Sequence, residues 1–166
     1  MNHVARQITT LVLIAGATIA APVARADTPP PPCSSGQVHV SNGGEQAAAG
    51  HRRVLLVFRL DPGDAPCTLT GYPGVASGAG GPSIQANWTL HGYMGGMQTE
   101  IPPTVTVSPS QPAYAVVEGA AVGDSDRPCP TYTALQVIPP DTTDAAAVPA
   151  NIDTCALQVH PVNSQP

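Results

Sequence analysis

Arg53-Val54-Leu55-Leu56-Val57-Phe58-Arg59-Leu60 is nearly all apolar, and Asp61-Pro62-Gly63-Asp64 follows it at once. Eight residues is a strand's length rather than a helix's. An apolar run of that length reads as a strand covered on both faces. The four residues behind it have the order of a type II turn: Pro at the first central position, Gly at the second, where φ must be positive. Cys67 to Tyr72 is then the next strand candidate.

The same pattern continues in both directions. Upstream, Gln37-Val38-His39-Val40-Ser41 alternates with period two. Downstream come Ser83 to Tyr93, Thr104 to Val107, Ala113 to Glu118, Thr133 to Ile138 and Cys155 to Val162, separated by turn residues. Tyr72-Pro73-Gly74-Val75 repeats the Pro-Gly turn chemistry, and Ser77 to Pro82 is a glycine-rich loop. Ala-Leu-Gln-Val occurs at 134–137 and at 156–159, which predicts two strands with Leu and Val inward and Gln outward. Ala47-Ala48-Ala49 and Ala145-Ala146-Ala147 are short helix-friendly runs, stopped by Gly50 and Pro149. Of the 20 prolines, all but Pro22 lie beyond residue 26, where they break most helical windows. Seven or eight strands at regular spacing predict an all-β antiparallel sandwich with Greek-key connections.

The N-terminus has the three parts of a secretory signal. Arg6 supplies charge, Leu11 to Ala21 is apolar, and Ala24-Arg25-Ala26 is an Ala-x-Ala cleavage signature. The apolar run is shorter than the ~20 residues a bilayer needs. Cleavage after Ala26 is expected to leave 140 residues. The expected organisation is a signal over 1–26, a proline-rich, disordered lead-in over 27–32, one β-domain over 33–162 and a tail over 163–166. No second apolar stretch is long enough to span a membrane. Pro29 to Pro32 before Cys33 suit an extended spacer better than a lipid-attachment site.

Four cysteines follow the signal: Cys33, Cys67, Cys129 and Cys155. An even number in an exported chain points to two disulfides. Three pairings are open; the nearest-neighbour set, Cys33–Cys67 and Cys129–Cys155, is the expected one. Each bridge would contribute ~3.5 kcal/mol in the chain-entropy account. With so few aromatic residues the core is modest, and the bridges help to hold it.

Composition removes several functions. Beyond residue 26 there are four arginines (Arg52, Arg53, Arg59, Arg127) and no lysine, against 11 acidic residues. Nucleic acid and anionic lipid both need clustered cations. Without lysine there is no P-loop, Schiff base or Ser-x-x-Lys acylase, and neither a Gly-x-Ser-x-Gly elbow nor a His-Glu-x-x-His helix occurs. The acids mostly sit in turns, six of the 11 as pairs (Asp61 and Asp64, Asp124 and Asp126, Asp141 and Asp144), where turn chemistry and solubility account for them.

At Cys67-Thr68-Leu69-Thr70-Gly71-Tyr72-Pro73-Gly74-Val75 the chain resembles a family of actinobacterial secreted proteins and lipoproteins, domain of unknown function 4232. An early cysteine (Cys33), the apolar strand before this run (Val54 to Leu60), a Pro-rich entry to an alanine-rich strand (Ser108 to Val117) and a last cysteine before Pro-Val (Cys155 to Val162) extend the resemblance. It implies an immunoglobulin-like sandwich and no established activity, hence no catalytic residue. Unlike the lipoprotein members, this chain has no lipid-attachment box before its first cysteine.

Two places could make contacts. Tyr72, Pro73 and Gly74 put a tyrosine on a rigid turn, a contact for sugar or protein; the structural alternative is a tyrosine that caps the core. His91-Gly92-Tyr93-Met94-Gly95-Gly96-Met97 sets His91, Met94 and Met97 on a glycine loop. Imidazole and thioether are soft ligands suited to Cu(I); the alternative is a loop whose methionines cover apolar surface. The expectation is a non-catalytic binding or structural module, secreted or in the cell wall, with no cofactor and an envelope protein or glycan as partner. An extracytoplasmic Cu(I)-binding protein is the alternative.

Overall fold

The computed structural model describes residues 28–97, 99–123 and 127–166. The signal segment and the pair Asp124 and Asp126 lie outside the described residues. Ten strands and no helix are present among the described residues. They are β1 (His39–Ala48), β2 (His51–Arg59), β3 (Cys67–Thr70), β4 (Gly74–Ser77), β5 (Ala86–Trp88), β6 (Thr104–Val107), β7 (Ala113–Ala120), β8 (Thr131–Ile138), β9 (Ala146–Asp153) and β10 (Leu157–Val159).

One layer is a five-stranded sheet in the order β1-β2-β7-β10-β5. The other consists of the pair β3-β6 and the sheet β4-β8-β9. One apolar cluster joins them, built from alternate residues: Val54, Leu56 and Phe58 of β2, Val117 of β7, Leu157 and Val159 of β10, facing Leu135 and Val137 of β8 and Ile152 of β9. In both Ala-Leu-Gln-Val segments Leu and Val are buried, and Gln158 and Gln136 are exposed, as their pattern predicts. Tyr132 is fully buried and donates its O–H to the Pro82 carbonyl at 2.7 Å.

The sheets are antiparallel except for β5, which lies parallel to β10 at the edge of the large sheet. The eight strand segments predicted from the sequence each overlap a strand, with β1 running seven residues beyond Ser41; β4 and β9 are additional. Neither alanine run is helical. Ala47 and Ala48 end β1, and Ala49 (φ 48°) with Gly50 (φ 81°) make the tight turn into β2. Ala146 and Ala147 begin β9, an edge strand that tolerates Pro149 because only one of its sides enters a ladder.

The Asp61 to Asp64 turn forms as read, with Gly63 at φ 99° and Asp64 N–H donating to the Asp61 carbonyl. The second Pro-Gly turn does not. The positive φ falls on Gly71 (88°), while Gly74 opens β4 opposite Ile138. Pairing to β8 sets the backbone of Gly74, overriding the local dipeptide. The loop after β4 is likewise laid along β8, through Gly78 N–H to the Ala134 carbonyl and Thr133 N–H to the Ala79 carbonyl.

Cys33 is bonded to Cys67 and Cys129 to Cys155, the expected pairing. The end of the lead-in is docked: Pro31 accepts from Thr68 N–H, and Pro32 bridges to Thr68 in parallel. The tail is docked too, since Asn163 and Tyr114 exchange two backbone hydrogen bonds. At the seam between the layers, Arg52 of β2 reaches Asp153 of β9 at 3.2 Å. Hydrogen bonds from Thr131 and then Arg52 hold the Asp153 carboxyl below the usual carboxylate range.

Candidate functional site

The outer face of the large sheet carries the chain's least expected feature. Pairing puts Arg53 of β2 and Gln158 of β10 on either side of Glu118 of β7. His160, just past β10, continues the same face and donates its N–H to the Val116 carbonyl at 2.9 Å. Glu118 and His160 are each only 3% exposed, and their side chains meet at 2.8 Å, Nε2 to Oε1. A buried carboxylate is tolerated when paired and fully hydrogen-bonded. Glu118 meets that condition: Tyr93 N–H donates to Oε2 at 2.9 Å and Met94 N–H to Oε1 at 3.0 Å.

Those two amides belong to the loop singled out from the sequence. It doubles back on itself, with His91 bridged to Gly96 and Met97 N–H donating to the Leu90 carbonyl. It lies flat on the sheet because of its glycines. A Cβ at Gly92 would stand 2.5 Å from Glu118 Oε1, and one at Gly95 would stand 3.1 Å from both Glu118 Oε1 and His160 Cδ2. Tyr93 closes the end of the loop by stacking on His51, ring centres 4.0 Å apart.

A cleft flanks the loop on each side. One, of about 80 Å³, runs past His51, Tyr93, Gly119 and Gln158. The other, of about 160 Å³, is bounded by Arg53, Met94, Met97, Tyr114, Val116 and His160. The structure therefore brings Met94 and Met97 onto one groove, but with His160; His91 is exposed and does not line it. No three of the described His, Cys, Asp and Glu residues are grouped to hold a metal ion. A histidine on a carboxylate is an acid–base pair; among the described residues, no serine, threonine or cysteine lines this groove.

Tyr72 is half-buried and lies against Trp88, the only tryptophan of the chain, with ring centres 5.2 Å apart and planes within 4°. Trp88 itself is 67% exposed. Pro73 is buried. Tyr72 thus backs a ring that faces solvent. Sequence reasoning placed Trp88 in a strand and missed its exposure, which follows from its place at the end of the short edge strand β5. It also missed Glu118 and His160. The available signal was one acid inside an otherwise apolar strand and one histidine between Val159 and Val162.

A family model described as Domain of unknown function (DUF4232) matches residues 33–163. No curated protein and no solved structure matches the chain.

Proposed function

Because the chain belongs to the family of domain of unknown function DUF4232, whose description assigns no activity, we propose from its own surface that it is an exported, non-catalytic binding module. Its contact residue is Trp88, and its partner is a glycan of the envelope or extracellular space. The observation that carries this reading is the chain's one tryptophan, 67% exposed and stacked on Tyr72. A tryptophan left in solvent forgoes one of the largest apolar burials a side chain can make. A pyranose offers a flat, C–H-lined face that supplies this burial on binding. With Tyr72 fixing one face of the indole, little side-chain freedom is lost when the ligand arrives.

Three further features support it. Two disulfides suit an oxidising compartment. The cleavage signature at Ala24 to Ala26 gives a route there, and no helix among the described residues is long and apolar enough to cross a membrane. The scarcity of cations turns the choice away from nucleic acid. No observation favours the Cu(I) alternative on His91, Met94 and Met97.

Electrophoresis of the oxidised protein through gels that contain soluble polysaccharides tests the reading. Retardation is expected in at least one gel, lost in Trp88→Ala and kept in Tyr93→Ala. Free mobility of the wild type in every gel, or equal retardation of Trp88→Ala, overturns it.

A further inference from the structure

Among the described residues, two buried side-chain nitrogens or oxygens lack a hydrogen-bond partner within the protein: Arg53 Nε and His160 Nδ1. Both residues line the same groove of about 160 Å³. Buried polar atoms are paired, with protein, ligand or ordered water, in the great majority of cases, so two such atoms on residues of one groove point to a polar occupant there. For Arg53, the surroundings account for the missing partner. Glu118, the cross-strand neighbour of Arg53, is already engaged by His160 Nε2 and the amides of Tyr93 and Met94. The Arg53 Nη1 end turns instead to Gln46 Oε1, at 3.4 Å.

We infer that this groove is a binding site for a carboxyl group on a short apolar tail, headed by Arg53 Nε and His160 Nδ1. The donor inventory selects the ligand. Arg53 Nε–H is a donor with no acceptor in the protein. Imidazole that gives its Nε2 proton to Glu118 presents Nδ1 either as a lone pair or, when protonated, as a second N–H. A carboxyl group satisfies both atoms in either case. One oxygen accepts from Arg53, and the other shares a single proton with Nδ1, as carboxylate with imidazolium or as acid with imidazole. If the imidazole is neutral when a carboxylate enters, that proton comes from solvent. The guanidinium also argues against a metal cation in the groove, since it places a fixed positive charge at its wall. Met94, Met97 and Val116 supply adaptable apolar surface for the tail. The volume admits a few carbons, well below the size of a drug-sized pocket. The site is separate from Trp88 and stands or falls independently of it.

Butyrate is the probe, with methyl butyrate as the control that keeps the tail but has neither charge nor proton. Titration of the oxidised protein is followed by the His160 Nδ1 nitrogen resonance and the Met94 and Met97 methyl resonances. Saturable shifts with butyrate and none with the ester are expected. Arg53→Gln should weaken binding about tenfold or more, the loss of a charge-assisted hydrogen bond. Trp88→Ala should leave the titration unchanged. A short peptide with a free C-terminal carboxylate, run in parallel, separates two sources: tighter binding than butyrate assigns a chain terminus, weaker binding a free acid. Absence of saturable shifts in the wild type, equal shifts with the ester, or undiminished affinity in Arg53→Gln overturns the inference.

Discussion

On the inner face of the large sheet, Val54, Leu56, Phe58, Val117 and Leu157 are buried by other apolar side chains. On the outer face of the same strands, Glu118 and His160 are buried as deeply, beneath a loop held by two of its own amides. The inner contacts are non-directional and depend on area and fit. The outer ones are directional, and each donor removed leaves a charge short of a partner. The inner face should therefore carry most of the stability. The outer face should carry the geometry of the loop and of the two clefts beside it.

Truncation separates the two roles most sharply. Phe58→Ala leaves a cavity in the inner cluster and should cost ~3–5 kcal/mol, read from denaturant unfolding of the oxidised protein. Tyr93, stacked on His51 but 81% exposed, should cost less than about 1 kcal/mol on change to alanine. Comparable losses from the two would erase the distinction between the faces.

The seam between the layers gives a smaller effect with a definite pH signature. The folded state lowers the Asp153 carboxyl pKa, first through Thr131 and then Arg52. A lowered carboxyl contributes stability at pH above its unfolded value, and the contribution disappears as pH falls through the folded value. Asp153→Asn should therefore be slightly less stable than the wild type near neutrality. The gap should close from about pH 4 downward, the carboxylate range. Thermal unfolding across that range checks it; a gap that widens toward acid contradicts the assigned cause.

The two faces also differed in how far they could be read in advance. Arg53 to Leu60 announces its strand because apolar length and a Pro-Gly turn agree, and burial of Val54, Leu56 and Phe58 follows from period two. β9 was hidden because Ala145 to Ala147 favour helix locally and Pro149 opposes strand, while its position at a sheet edge decides the outcome. The outer face was legible only in part. The glycine loop stood out, and Met94 and Met97 both line one groove beside it. The histidine that lines this groove is not His91, their neighbour in sequence, but His160, brought there by the pairing of β10 with β7. No local pattern reports that pairing, and none reports that Glu118, 24 residues from Met94, would hold the loop's backbone.

Amide hydrogen exchange on Glu118→Gln tests that hold most directly. Glutamine keeps the shape of the side chain but replaces one accepting oxygen with an N–H₂ donor, so the Tyr93 and Met94 amides can no longer both be accepted. At least one of them should exchange much faster than in the wild type. The amides of Val117 and Leu157, within the sheet, should keep their protection. Unchanged exchange at both Tyr93 and Met94 would show that the loop is held by something other than the buried carboxylate, and would contradict the account.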